Sequence, residues 1–443
     1  MKDYMLEAEK KRYIERTPKS QALQIKAEKF LPGGSSRTTA YFDPYPHFIE
    51  KGIGKYIYDV DDNEYLDLMI NATSLILGHS HPDIVSSVQA QSELGLAFSG
   101  PTESQISLAK ILCDRIPSVD TIRFTNSGTE GTMMAIRAAR EFTGRRKIVK
   151  VEGGYHGAHE YVAVSVYASG KDDAGDPKAT PEYSKQPKTI TDDVIVIKYN
   201  DIDSMEKVLR QNANDIACVI IEPVVSNFGY LPADGKFLAH LRRLTDETGI
   251  ILIFDEVQSF RLAQGGAQEL LGVIPDMTCL GKIIGGGLPI GAFGGREDLM
   301  RLFDPTQEVT PISHAGTFNA NPITMRAGEV VMNHLTQDVY YRINAMGEVL
   351  RNKLSVTFDE LDIPIRVTGI GSLFGLHFTA SNISNYDDVL AADLDKKEMF
   401  FLGMLNEGVL MQTGIAGALN VLSTEDDIDR IVNAARKVAQ RTK

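Results

Sequence analysis

A lysine amine, a strand-end carboxylate and a cluster of amide and hydroxyl donors occur in this sequence where they could converge. Lys282 follows the apolar run MTCLG and precedes IIGGG, so its amine can project from a strand end while Gly285, Gly286 and Gly287 let backbone come close. Such an amine can condense with an aldehyde. Asp255 ends the run IILIF, and a carboxylate just past a buried strand can keep a ring nitrogen protonated, which makes the ring an electron sink. Ser127, Gly128 and Thr129 open a segment of helical period and offer backbone amides and hydroxyls suited to a phosphate dianion. Aldehyde, ring nitrogen and phosphate are the three handles of pyridoxal 5'-phosphate, and the sequence holds a candidate for each.

Each of these residues also has an ordinary reading. Glycine-flanked lysines are common, Asp255 would equally start a surface turn, and Ser127 to Thr129 would equally make a plain helix cap. Gln258 could hydrogen-bond a ring hydroxyl, although a loop glutamine is usually only solvated. In GGYHGAH, Tyr155 could stack on a pyridine ring or merely pack. His156 and His159 have no convincing set of metal-ligating partners, so a zinc site is rejected.

The elements that must position these residues are legible as an alternation of apolar runs and helix-period segments, the pattern of a mostly parallel sheet covered by helices. Strands are expected at Ile148 to Val151, Val194 to Ile197, Ile216 to Ile221, Ile250 to Phe254 and Met277 to Leu280. Ligands in such sheets bind outside the carboxyl ends of the strands, which is where Asp255 and Lys282 fall. Phe237, Leu238, Leu241 and Leu244 recur at helical spacing, predicting a covering helix from about Gly235 to Thr248 that stops before Gly249. A second helix is predicted after Asn126, running to Gly144. Near the end, Thr424 with Asp427 reads as a capping box ahead of Ile428, Ile431, Ala435 and Val438, and GIGSLFGLHF reads as a strand. Gly170 to Thr191, rich in Gly, Asp, Lys and Pro, is expected to be a loop beside the site.

At 443 residues the chain exceeds one simple core. The expected organisation is an N-terminal segment 1–80, a large cofactor domain 81–335 and a C-terminal part 336–443. Acidic residues outnumber basic ones, 59 to 46, which argues against nucleic acid or an anionic membrane surface as partner. Cys113, Cys218 and Cys279 are odd in number and scattered, the usage of a reducing compartment; with a charged start and no apolar run near membrane length, a cytoplasmic protein is expected.

Taken together and in order, NSGTEGTMMAIRAAR, VEGGYHGAHE, IIEPVVSNFGY, IFDEVQSFR, LGKIIGGGLPIGAFGG and AGTFNANP resemble the class III, fold-type I aminotransferases. The likeness extends to PGGSSR, GKYIYDVDDNEYLDL and LGHSHP near the start. It implies an α/β fold whose large domain carries a mostly parallel seven-stranded sheet, with a smaller α+β domain from the two chain ends. It further implies Lys282 as the Schiff-base lysine, Asp255 as the pyridinium partner, Tyr155 as the stacking ring and Ser127, Gly128 and Thr129 as the phosphate cup. His156 and Gln258 join the cofactor residues, and Glu222 and Asn227 match the segment lining the pocket. Gly316 and Thr317, in AGTF, would serve the phosphate of a neighbouring subunit, which implies a homodimer with shared active sites. The activity implied is transfer of an amine from a donor to a keto acceptor, with pyridoxamine phosphate between the two halves and Lys282 as nucleophile and proton carrier.

Within that class the segments are most similar to β-amino acid (β-phenylalanine-type) aminotransferases and to glutamate-1-semialdehyde aminomutases. Arg261 lies six residues after Asp255, and the interval from Asp255 to Lys282 is 282 − 255 = 27, resembling the shortened form of the β-amino acid enzymes. Arg37 is the best candidate for gripping a substrate carboxylate, with Arg261 also counted among the substrate residues; an arginine paired with a surface acid is the plain alternative. The stretch VLMQTGIAGALNVLSTEDD contains no arginine, whereas many members of the class place one there for an α-carboxylate. The expectation is an aminotransferase acting on a β-amino acid or related amine, with the aminomutase as alternative and a regulatory homologue as a remote third.

Overall fold

Uninterrupted apolar runs build the sheet that carries the site. The computed structural model describes residues 2–173 and 175–442. One compact unit comprises Asp83–Tyr341 with Ser384–Asp387. Its seven-stranded sheet has the spatial order Thr121–Thr125, Gly291–Gly295, Met277–Gly281, Ile251–Asp255, Ile216–Ile221, Lys147–Val151, Val194–Ile197. Only Gly291–Gly295 runs against its two neighbours. Ile216–Ile221 and Ile251–Asp255 are buried along their whole length, as strands covered on both faces must be.

The glycine-rich strand Gly291–Gly295 has no periodic signature and escapes a reading based on apolar runs. Its glycines answer to close approach: a Cβ on Gly291 would lie 1.9 Å from the Ser127 carbonyl oxygen. Helix Gly128–Thr143 therefore rests directly on this strand, and Ala292 O would sit 2.8 Å from a Cβ on Gly131. The helix starts with the Ser127 side chain accepting from the Glu130 amide and stops at Gly144 in the left-handed conformation. Helix Gly235–Thr248 is capped by Asp234 and ended by Gly249, and it buries Phe237, Leu238, Leu241 and Leu244, each worth about 1.5–3 kcal/mol of apolar transfer. The segment 170–191 contains isolated bridges and a helical turn at Lys188–Asp192; Ala174 within it lies outside the described residues.

The second unit comprises Met1–Pro82, Arg342–Ile383 and Asp388–Lys443. Ile49–Ile53, Tyr56–Asp59 and Glu64–Asp67 pair antiparallel, and Val409–Leu410 adds to Glu64–Asp67 in parallel. Arg366–Thr368, Leu373–His377 and Ala416–Ala418 form a three-stranded antiparallel sheet. Helix Glu425–Gln440 begins at the Thr424–Asp427 capping box, and Asp427 also accepts from Lys55 Nζ at 2.7 Å. Leu66, Phe374, Phe400, Ile428 and Ile431 share one core, so the first eighty residues and the last hundred fold together. No described helix is long and apolar enough to cross a membrane.

Candidate active site

Five parallel strands of the large sheet carry sequence candidates at or just beyond their carboxyl ends: Ser127 to Thr129, Tyr155 and His156, Glu222 and Asn227, Asp255 and Gln258, and Lys282. Asp255 is the last residue of its strand and lies opposite Cys279, three residues before Lys282. Lys282 opens a short 3₁₀ turn, Lys282–Gly285, at φ +50°, a conformation that costs a side-chain-bearing residue energy and is found where function holds it.

Asp255 is buried. Its Oδ2 lies 2.9 Å from His156 Nδ1, and its Oδ1 accepts from the Val257 amide at 3.1 Å. A carboxylate only accepts, so the proton between them belongs to Nδ1. His156 Nε2 is buried and has no hydrogen-bond partner among the described residues. His156 is itself held by its carbonyl, which accepts from Thr132 Oγ1 at 2.6 Å. Glu222 is buried nearby and accepts from the Tyr155 amide at 3.0 Å and from Ser226 Oγ at 2.7 Å. Burial holds its carboxyl above the usual range, with His156 opposing and Asp255 reinforcing. Asn227 Nδ2 donates to the Gly153 carbonyl at 3.0 Å and so ties down the loop that carries Tyr155. Tyr155 is 41% exposed, and its partial burial raises the phenol above its ordinary range.

Ser127, Gly128 and Thr129 stand at the start of a 16-residue helix with their amides outside the helical ladder. Gly157 approaches Thr129 so closely that a Cβ would lie 2.5 Å from Oγ1, and its φ of +103° suits glycine alone. Thr129 Oγ1 accepts from the Ala158 amide at 3.3 Å. The strand-end lysine, the buried carboxylate and this amide cradle fit pyridoxal phosphate: Lys282 for the aldehyde, Asp255 for the ring nitrogen, Ser127 to Thr129 for the phosphate. Gln258 follows Asp255 by three residues in the same partly buried connection.

Gly316 and Thr317 are exposed on a loop tied to the start of helix Gly128–Thr143, since Asn319 Oδ1 accepts from Asn126 Nδ2 at 2.9 Å. Asn126, Thr132 and Asn319 lie within the segments NSGTEGTMMAIRAAR and AGTFNANP, but the sequence assigns them no role, because their contacts exist only once the elements pack. The two arginines differ. Arg261 is 0% exposed beside Tyr230 and Tyr340, and burial lowers its guanidinium to about 10. Arg37 is exposed, and its Nη1 donates to Asn71 Oδ1 at 2.8 Å in the other unit.

Fold and strand-end residues together are those of a pyridoxal-phosphate-dependent transferase. The model of the family "Aminotransferase class-III" matches residues 39–434. The chain is 42% identical over 395 residues to a glutamate-1-semialdehyde 2,1-aminomutase of Methanocaldococcus jannaschii, covering 89% of this chain and 91% of that protein. Among solved structures, an omega-transaminase from Sphaerobacter thermophilus is 41% identical with a TM-score of 0.93, covering 95% of this chain and 97% of that one. A β-phenylalanine aminotransferase from Variovorax paradoxus is 34% identical with a TM-score of 0.91, covering 99% and 97%. The chain belongs to the class-III aminotransferases and is a pyridoxal-phosphate-dependent enzyme of the aminotransferase type.

Proposed function

We propose that this enzyme moves an amino group from a β-amino acid or related amine to a separate keto acceptor. The observation that carries this reading is Arg37 at the edge of a cavity of about 380 Å³ whose other lining includes Phe42, Met69, Phe401, Leu410 and Met411. A guanidinium beside apolar walls suits a donor with one carboxylate and an apolar group. Arg261, fully buried, is the weaker candidate for such a contact. The lack of arginine between Val409 and Asp427 removes one recognition group for an α-carboxylate and leaves the acceptor open.

Bound pyridoxal phosphate supplies an electron sink for the donor carbon. Lys282 Nζ takes the proton from the amine-bearing carbon and returns it on the other side of the transfer, acting as base and then acid. Asp255, oriented by His156, would hold the ring-nitrogen proton, and Tyr155 would stack on the ring. Glu222 and Asn227 fix the Tyr155 loop through its backbone.

Two copies of the chain sharing their sites fit the surface around Thr317, where Leu96, Phe98 and Phe318 are all exposed, Phe318 at 59%. Thr317 is then the residue offered to the neighbour's phosphate. Three unpaired thiols suit the reducing cytoplasm.

A second reading has its own support: the curated relatives at 40% and 42% identity are aminomutases, which move an amine within one substrate. Rapid mixing of the purified yellow enzyme with β-phenylalanine, and separately with glutamate 1-semialdehyde, without a keto acceptor, tells the two apart. Stoichiometric bleaching by β-phenylalanine, with turnover only when acceptor is added, supports the transferase. Acceptor-free turnover of the semialdehyde to 5-aminolevulinate makes it the aminomutase.

A further inference from the structure

In the segment DLMINATS, four consecutive residues, Ile70, Asn71, Ala72 and Thr73, have φ of +39°, +49°, +54° and +71°. None is glycine. A left-handed turn of this length forces each Cβ against the following carbonyl, so it persists only where the surroundings impose it. Here they do. The Ile70 amide donates to Asp67 Oδ1 at 2.8 Å, and Asp67 is buried with its Oδ2 2.7 Å from His79 Nε2. The Thr73 amide donates to the Met69 carbonyl at 2.9 Å and the Leu75 amide to that of Ile70 at 3.1 Å.

The strain delivers one side chain in one orientation. Asn71 Nδ2 donates to Ser74 Oγ at 3.2 Å, and Ser74 Oγ donates in turn to the Asn71 carbonyl at 2.9 Å. Ser74 thus decides which way the Asn71 amide faces, and Oδ1 is left to accept from Arg37 Nη1 at 2.8 Å. Arg37 is exposed and long, so without this contact its guanidinium would sample many rotamers. Asparagine is also neutral: it orients the guanidinium without cancelling its charge, as an aspartate would. Arg37, Asp67, Met69, Asn71 and His79 all line the same cavity.

We propose that Asn71 is a positioning residue for Arg37, and that the left-handed turn exists to aim Arg37 at the carboxylate of an amine donor. The enzyme's preference for carboxylate-bearing donors over carboxylate-free amines is set by this pair. The inference rests on the reading of Arg37 given above and deepens it.

Asn71→Gly separates positioning from folding, because glycine accepts φ +49° freely and removes only the side chain. Three quantities are measured on the holoenzyme: the melting temperature, the dissociation constant of 3-phenylpropionate by calorimetry, and kcat/KM for β-phenylalanine divided by that for 1-phenylethylamine. Asn71→Gly is expected to melt no lower than the parent, to bind 3-phenylpropionate about tenfold more weakly and to lose about tenfold in the donor ratio, the scale of one hydrogen bond to a charge. Asn71→Asp is expected to lose more in both, since its carboxylate competes with the ligand's for Arg37. Arg37→Ala serves as reference. If Arg37→Ala shifts affinity and ratio while Asn71→Gly and Asn71→Asp shift neither, Asn71 has no positioning role. If Arg37→Ala leaves both quantities unmoved, the reading of Arg37 fails and this proposal falls with it.

Discussion

His156 Nδ1 and Asp255 Oδ2 are 2.9 Å apart with both side chains buried, and ninety-nine residues of chain separate them. The imidazole removes part of the cost of burying a carboxylate and fixes the orientation of the Asp255 side chain. His156→Ala should therefore weaken pyridoxal phosphate binding about tenfold, read by fluorescence titration of the apoprotein. An unchanged dissociation constant would separate His156 from the cofactor.

Lys282 combines a strand-end position with φ +50°. Lys282→Ala should lower amine transfer by about 10²–10⁴-fold and abolish the long-wavelength absorbance of lysine-linked cofactor. Since Asp255 and the Ser127–Thr129 cradle remain, dialysis should still leave cofactor bound. A mutant that keeps the parent's visible band would assign the linkage to another lysine.

Thr317 is placed on an exposed loop whose Asn319 is bonded to Asn126, one residue before Ser127. If two copies share their sites as proposed, Thr317→Val should raise the cofactor dissociation constant by about tenfold without changing the oligomeric state in light scattering. A monomeric variant, made by charging the surface at Phe318, should bind cofactor poorly as well. Full affinity in such a monomer rules out a shared site.

Lys150 is 0% exposed, its Nζ donates to the Val164 carbonyl at 2.6 Å, and burial lowers it from 10.5 to about 7. Between pH 7 and 10.5 the unfolded chain binds a proton that the folded chain does not, so this group makes stability rise with pH across that window. Lys150→Met should melt higher than the parent at pH 7, and the difference should shrink as pH approaches 10. Calorimetric melting at several pH values measures it; a difference independent of pH would mean the lysine is charged in both states.

Much of this was legible in the chain. The buried strands betray themselves as continuous β-branched runs, the helices Gly128–Thr143 and Gly235–Thr248 carry their caps and terminal glycines in plain view, and Thr424 with Asp427 makes the capping box its spacing foretells. The strand Gly291–Gly295 was not legible as a strand, because its composition answers to the Ser127 carbonyl packed against it rather than to any period of its own. Arg261 and Arg37 illustrate the same limit: both are arginines in motif-like segments, yet one is wholly buried beside two tyrosines and the other stands exposed against Asn71.

The sequence by itself determined the class of chemistry through its ordered set of segments, from NSGTEGTMMAIRAAR to AGTFNANP, whose likeness to the class III aminotransferases decides between the readings that Lys282, Asp255 and Ser127 each admit alone. Tertiary structure alone decided which polar side chains meet. Asp255 with His156, Asn126 with Asn319 and Arg37 with Asn71 are pairs separated by 34 to 193 residues, and their contacts depend on strand order, on close glycine packing and on a strained left-handed turn. No period or spacing encodes such contacts, because they arise only when separate elements pack.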